Sequence, residues 1–203
     1  MCSPLESAAS LNFNMNFCGD SITNNAPLFQ SEDGGAIPTS PLQLKIRQCN
    51  VHLACGLNEL WHSRLPRIDW SNVVRNKRYI CFVAEYSFIN YATAIWSSPI
   101  AGNKMKNSDQ ILELRRMAIS KDAPKNTASR MISIMIKIIR KSFAEITTLI
   151  SYQDTDVHLG TIYKASGWSI AGLTKFASWK SNNRVRGLDQ SNASKIKWEY
   201  SLL

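Results

Sequence analysis

The residues with the type and spacing to do chemistry fall mainly in one stretch of the chain, from Leu112 to Arg130, with a few outliers on either side. That stretch reads Leu-Glu-Leu-Arg-Arg-Met-Ala-Ile-Ser-Lys-Asp-Ala-Pro-Lys-Asn-Thr-Ala-Ser-Arg. It has the pattern of a strand, a turn-rich loop and a helix start. A helix opening after such a loop presents unpaired N–H groups and a positive dipole end, which attract a phosphate with roughly 0.3–1 kcal/mol of dipole energy. Lys125 and Arg130 add charge beside it. An ordinary capped helix after a turn has the same pattern, so from this segment alone both readings stand.

Four residues, Glu113 of that stretch and three outside it, are candidates for proton transfer. Tyr163 lies about one turn before a helix end, where its phenol can protonate a leaving group or simply pack. Asp154 falls at the carboxyl end of a strand, the edge where ligands of open α/β sheets gather. It can act as a base or orient an attacking amine; capping a helix is its structural alternative, as it is for Asp156. His62 sits between Trp61 and Ser63-Arg64 at the start of a basic segment, with a side chain that titrates near neutrality. Glu113 points away from Leu112 and Leu114 and is either an acid/base group or the partner of Arg115 or Arg116. His52 and His158 have no such support.

The elements that must position these groups follow from hydrophobic period. Leu42, Leu44 and Ile46 alternate as in a half-buried strand, and Cys49–Trp61 reads as a short helix. A basic loop runs from His62 to Arg78 and carries Arg64, Arg67, Arg75, Lys77 and Arg78, with Trp70 among them. Cations for phosphates and a ring for stacking an extruded base are what a DNA-contacting arm needs. A hairpin follows, with strands Tyr79–Tyr86 and Tyr91–Ser97 joined by Ser-Phe-Ile-Asn. Ile111–Ile119 is the next strand. A helix begins after Ser120–Asn126, capped by Asn126 or Thr127, with Met131, Ile134, Met135, Ile138 and Ile139 forming its apolar stripe. Thr147–Tyr152 is a strand, Thr155–Ala165 a helix ended by Gly167, and Ser169–Trp179 a last strand region. The order predicts an α+β fold with a mixed sheet, in which a crossover helix joins two parallel strands. Residues 1–42 show no period and read as a poorly ordered extension, leaving 43–203 as the domain.

Charge narrows the class of partner. The first 44 residues contain no Lys or Arg and four acids, so the rest of the chain carries a net +13. Such an excess favours polyanions, nucleic acid before anionic membrane. No apolar run approaches the ~20 residues needed to cross a bilayer. Five cysteines without CxxC or zinc-type spacing fit reduced thiols, and the start lacks a secretory pattern, so a cytoplasmic protein is expected.

The segment Gly160-Thr-Ile-Tyr-Lys-Ala-Ser-Gly-Trp168 has a Tyr-x-x-x-Gly-aromatic ending at Tyr163, Gly167 and Trp168. It resembles the end of the fourth helix in GNAT acetyltransferases, and Ile111–Arg130 resembles their acyl-CoA-binding strand and pyrophosphate loop. Pro124–Arg130 stands where those enzymes have a Gly-rich loop. Trp61-His-Ser63, Asn126-Thr-Ala-Ser-Arg130 and Ser151-Tyr-Gln-Asp-Thr155 leading to Gly160–Tyr163 are similar to the bacteriophage Mom-type DNA modification proteins. Those are GNAT-like enzymes that convert adenine in DNA to an N6-carbamoylmethyl derivative.

The resemblance, which covers most of residues 55–170, implies an acyltransferase-type transfer to the N6 amine of adenine in DNA. In that frame Tyr163 serves the leaving group, and Asp154, Glu113 and His62 are candidates for the amine's proton, with Ser129 a further catalytic candidate. The backbone of Met117, Ala118 and Ile119, with Lys125, Asn126, Thr127, Ala128 and Arg130, would hold acetyl-CoA or a related acyl carrier. No residue pattern identifies the donor or an iron requirement. Two other readings remain: a conventional GNAT N-acetyltransferase for a small amine or protein lysine, and an inert nucleic-acid-binding or antirestriction module.

Overall fold

The computed structural model describes residues 43–62, 68–100, 105–174 and 194–203; the extension 1–42 lies outside them. Strand β1 (Lys45–Gln48) leads into helix α1 (Val51–Trp61), whose N-cap Asn50 accepts from the Leu53 N–H at 2.8 Å. Helix α2 (Trp70–Val74) opens on Asp69, which accepts from the Ser71 N–H at 3.0 Å. This corrects the expected unbroken loop from His62 to Arg78. Asp-Trp-Ser carries an N-cap signal, but five residues are too few to show an apolar period.

Strands β2 (Tyr79–Tyr86) and β3 (Ile89–Ser97) form the expected hairpin on a shorter turn. Ser87 and Phe88 both take positive φ, 47° and 66°, the geometry that two-residue hairpin loops favour. Neither is the Gly or Asn that usually announces it. A turn of 3₁₀ helix at Ser108–Gln110 precedes strand β4 (Ile111–Ile119). Helix α3 (Thr127–Ser142) then crosses to strand β5 (Thr148–Asp154), which pairs parallel to β4.

Helix α4 is confined to Thr161–Ala165, and residues 155–157, expected to open it, form a turn instead. Strand β6 (Ser169–Thr174) matches the described part of the last expected strand, whose continuation from 175 to 179 lies outside the described residues. Strand β7 (Lys195–Ser201) is absent from the expected order. It inserts between β5 and β6, completing a seven-stranded sheet β1-β2-β3-β4-β5-β7-β6.

The sheet is covered on both faces. One core joins Leu112, Leu114, Trp96 and Trp198 to α3 and α4; the other joins Cys81 and Ile95 to α1 and α2. On α3 the buried stripe is Met131, Ile132, Met135, Ile136 and Ile139, while Ile134 and Ile138 are only partly covered. The helix is therefore rotated from the expected stripe, with its run of isoleucines offering two nearly equivalent apolar faces.

Candidate functional site

The sheet opens at its centre. β4 and β5 pair from Ile111 opposite Thr148 to Leu114 opposite Ser151 and no further, although β4 continues to Ile119 and β5 to Asp154. The edge of Arg115–Ile119 facing β5 thus has no strand partner among the described residues, while the other edge stays bonded to β3. Beyond this fork lies a pocket of about 310 Å³, lined by Ile119, the loop from Ser120 to Asn126, the first turn of α3, and α4.

The loop reaches this shape without glycine because Asn126 adopts the left-handed conformation (φ 63°, ψ 10°), which Asn tolerates better than most residues. Its side chain makes no capping bond, contrary to expectation. Thr127 instead ties the turn, its Oγ1 donating to the Pro124 carbonyl at 2.6 Å. The first-turn N–H groups of Ala128 and Ser129 have no helical acceptor, and both residues line the pocket. Ile119, Asn126, Thr127, Ala128 and Ser129 are therefore brought together, and Arg130 lines the neighbouring hollow. Lys125 is exposed, and Met117 and Ala118 lie on β4 inside the fork.

Tyr163 stands at the fork's base. Its hydroxyl shares a 2.8 Å hydrogen bond with Ser151 Oγ, which also lies 3.3 Å from the Leu114 carbonyl, so Tyr163 is tied to the last paired residues of both strands. The ring stacks on Trp198 (centroids 5.3 Å apart) and meets Trp168 edge-on at 5.6 Å. Burial pushes its pKa up, against the Ser151 hydrogen bond, and it holds its proton at neutral pH. The spacing of Tyr163, Gly167 and Trp168 has a structural cause. Trp168 N–H donates to Tyr163 O at 3.0 Å and Gly167 N–H to Lys164 O at 3.2 Å, with Gly167 at φ 79°. This is the Schellman helix ending with its hydrophobic contact.

The other face of the sheet carries a charged cluster. Glu113, 6% exposed, accepts from the Ile100 N–H at 3.0 Å; burial raises its pKa against the opposing pull of that bond, Arg115, Arg116 and Lys195. The alternative reading of Glu113, a salt bridge to Arg115 or Arg116, is not what forms among the described residues. His62 ends α1 half-buried. Burial, then Arg116, then His158 lower its pKa, so the imidazole is neutral and able to accept a proton. Tyr152 stands near enough to Glu113 for burial and that charge to raise its pKa. The sequence reading missed Ser151, Tyr152 and His158 as members of this site; their only signal is the Ser-Tyr-Gln-Asp motif and its following turn.

Asp154 accepts from the Asp156 N–H at 3.0 Å, so its carboxylate caps a turn at the strand end rather than a helix. Ser129 Oγ donates to the Asn126 carbonyl at 3.3 Å. Of the basic arm, Arg64 and Arg67 lie outside the described residues. Lys77 pairs with Asp109 at 2.8 Å and Arg78 with Glu145 at 3.0 Å, at the end of the sheet where β4 begins, away from the fork. Arg75 is exposed, and Trp70, 45% exposed, lies 4.7 Å from the His52 ring. Among the described residues no three His, Cys, Asp or Glu side chains group to hold a metal ion. Cys49 and Cys81 are free, and burial pushes their thiols up to about 11 and about 12. No helix among the described residues is long and apolar enough to cross a membrane.

A mixed sheet forked between two central parallel strands, with a helix start at the fork's mouth, is the fold of GNAT acetyltransferases. The chain is similar to the ribosomal-protein-S18-alanine N-acetyltransferase of Escherichia coli at 13% identity, covering 79% of this chain and 94% of that one with a TM-score of 0.55. A Bacillus subtilis acetyltransferase in complex with CoA matches at 13% identity over 80% and 99% with a TM-score of 0.56. An aminoglycoside acetyltransferase bound to coenzyme A and kanamycin matches at 10% identity over 78% and 95%, also with a TM-score of 0.56. Within that fold the particular family is given by sequence: residues 85–199 match the model of the Mom protein family, and the chain belongs to it. No match is found among curated protein sequences.

Proposed function

We propose that this protein transfers an acyl-type group to the exocyclic N6 amine of adenine in DNA. Membership of the Mom family carries the reading, and the geometry of the fork supports it. The pocket suits an acyl-CoA-type donor: an unpartnered strand edge at Met117–Ile119, first-turn N–H groups at Ala128 and Ser129, and Lys125 and Arg130 nearby to hold phosphates. Bound there, such a donor supplies an activated acyl carbon and a thiolate leaving group.

The protein's own groups divide the proton work by face. Tyr163 keeps its proton at the fork's base, on the α3 side, where a departing group can take it. Across the sheet, Glu113 and neutral His62 can each accept a proton from the amine. That amine is a poor nucleophile because its lone pair is delocalised into the ring, so withdrawal of its proton matters, and the base must leave the helical stack to be reached. Trp70 beside His52 offers a ring surface for the strand, and Arg75 a phosphate contact.

Nucleoside mass spectrometry of DNA from cells expressing the protein tests the reading. A modified deoxyadenosine dependent on Tyr163 is expected. Unmodified DNA, together with acetylation of a lysine or small amine by the purified protein, would replace it with a conventional N-acetyltransferase.

A further inference from the structure

We propose that Arg115 and Arg116 form an anion site at the base of the fork that takes a phosphodiester of the DNA strand beside the target adenine. The proposal rests on the reading of DNA as the acceptor and names a contact within it.

The site starts from a β-bulge. β3 pairs Trp96 with Leu114 and Ile95 with Arg116, leaving Arg115 as the extra residue of β4. Leu114 therefore faces the α3 core while Arg116, two residues on, faces the other side with Ile95. The bulge lies where β4 and β5 part, so both arginines emerge at the fork. Each has a buried Nε with no hydrogen-bond partner among the described residues. Arg116 Nη1 donates to the Arg115 carbonyl at 3.1 Å. Buried guanidinium donors normally find acceptors, and an unpaired one is costly.

Among the described residues neither arginine has a carboxylate within ion-pair distance. Glu113 uses one oxygen on the Ile100 N–H, and its charge is shared among Arg115, Arg116 and Lys195. The segments 63–67, 101–104 and 175–193 hold a single acid, Asp189, against seven Lys and Arg. Two adjacent guanidinium groups, each with an unpaired Nε, in a body of net charge +13, match a phosphate group. The DNA backbone brings one to the acceptor side of the sheet, where His62 and Glu113 also lie. The competing source is a phosphate of the acyl carrier.

The test uses the full chain and a short single-stranded oligonucleotide holding one adenine, in a series where each linkage in turn is a neutral methylphosphonate. In the wild type, one linkage next to the adenine should weaken binding about tenfold when neutralised. Arg116→Gln should bind the unmodified strand about tenfold more weakly, be indifferent to that linkage, and reduce the slope of log K against log salt by about 0.7. Titrations with CoA and dephospho-CoA should match the wild type. Losses that multiply instead of overlapping, or a variant that weakens CoA but not DNA, overturn the proposal. If Arg116→Gln does not melt cooperatively, Arg115→Gln is read in the same way, while Arg116→Lys, which keeps the charge and loses the fork, should bind the unmodified strand more weakly with the salt slope unchanged. A wild type that binds no DNA fails the acceptor reading itself. A wild type that binds and modifies DNA with no linkage sensed by either arginine fails this proposal alone.

Discussion

Tyr163→Phe separates chemistry from packing because the structure keeps the two on different atoms. The ring is held by Trp198 and Trp168, at 5.3 and 5.6 Å between centroids, and a phenylalanine preserves both contacts. The one atom lost hydrogen-bonds Ser151 Oγ at 2.8 Å. Ser151 still has the Leu114 carbonyl at 3.3 Å, so no buried donor is orphaned. The stability cost is therefore that of one ordinary hydrogen bond, about 0.5–1.5 kcal/mol, or a fall in Tm of roughly 1–6 °C for a domain of this size. Activity should fall far more, by roughly 10²–10⁴-fold, if the phenol gives its proton in the transition state. The assay is mass spectrometry of hydrolysed DNA from expressing cells, with Tyr79→Phe as control for an exposed phenol at the start of β2, away from the fork. Modified adenine at the wild-type level in the Tyr163 variant, or an equal loss in the control, refutes the assignment.

Other outcomes follow from particular contacts. Glu113 has a raised pKa, so if it accepts the amine's proton the acid limb of the rate profile should lie above the ordinary glutamate range, and Glu113→Gln should remove that limb. The folded state favours the protonated form, so this group's contribution to stability is full below its unfolded value and lost as pH rises through the folded one; the Gln variant's advantage in Tm should grow from acid towards neutral pH. Gly160→Ala should cost about 2–4 kcal/mol in denaturant melts, because φ is +72° and a Cβ would meet Gln153 Oε1 at 2.5 Å and Trp198 at 2.6 Å. Arg75→Ala should lower the salt slope of duplex binding by about one, whereas Lys77→Ala, which removes a cation already paired with Asp109, should leave it nearly unchanged. Trp70→Ala should weaken single-strand binding by about 1–3 kcal/mol if a base stacks there.

What was legible in the sequence is what local period encodes. Ile111–Ile119 and the α3 start at Thr127 fall where alternation and turn chemistry put them, and Gly167 ends α4 as a C-cap glycine should. Elements whose shape comes from tertiary context were not. α2 and α4 have five residues each, too short for a period, and β7 becomes a central strand only through pairing with both β5 and β6. The basic arm misled in part because composition counts charges without their partners: Lys77 and Arg78 meet Asp109 and Glu145, which lie far off in sequence.

The bulge in β4 explains most of the distance between motif and site. A strand read at strict period two puts Leu112, Leu114, Arg116 and Ala118 on one face, burying an arginine with the leucines and turning Met117 and Ile119 away from them. The extra residue at Arg115 resets the phase. Met117 and Ile119 rejoin the α3 core, while Arg116 and Ala118 turn to the face shared with Glu113 and Ile95. One inserted residue thus keeps the apolar side of the strand continuous for packing and concentrates cations on the opposite side. It does so at the level where the ladder to β5 stops and Tyr163 is anchored. A bulge has no fixed residue signature when glycine is absent, so sequence exposes the charges of the site but not the side of the sheet on which they act.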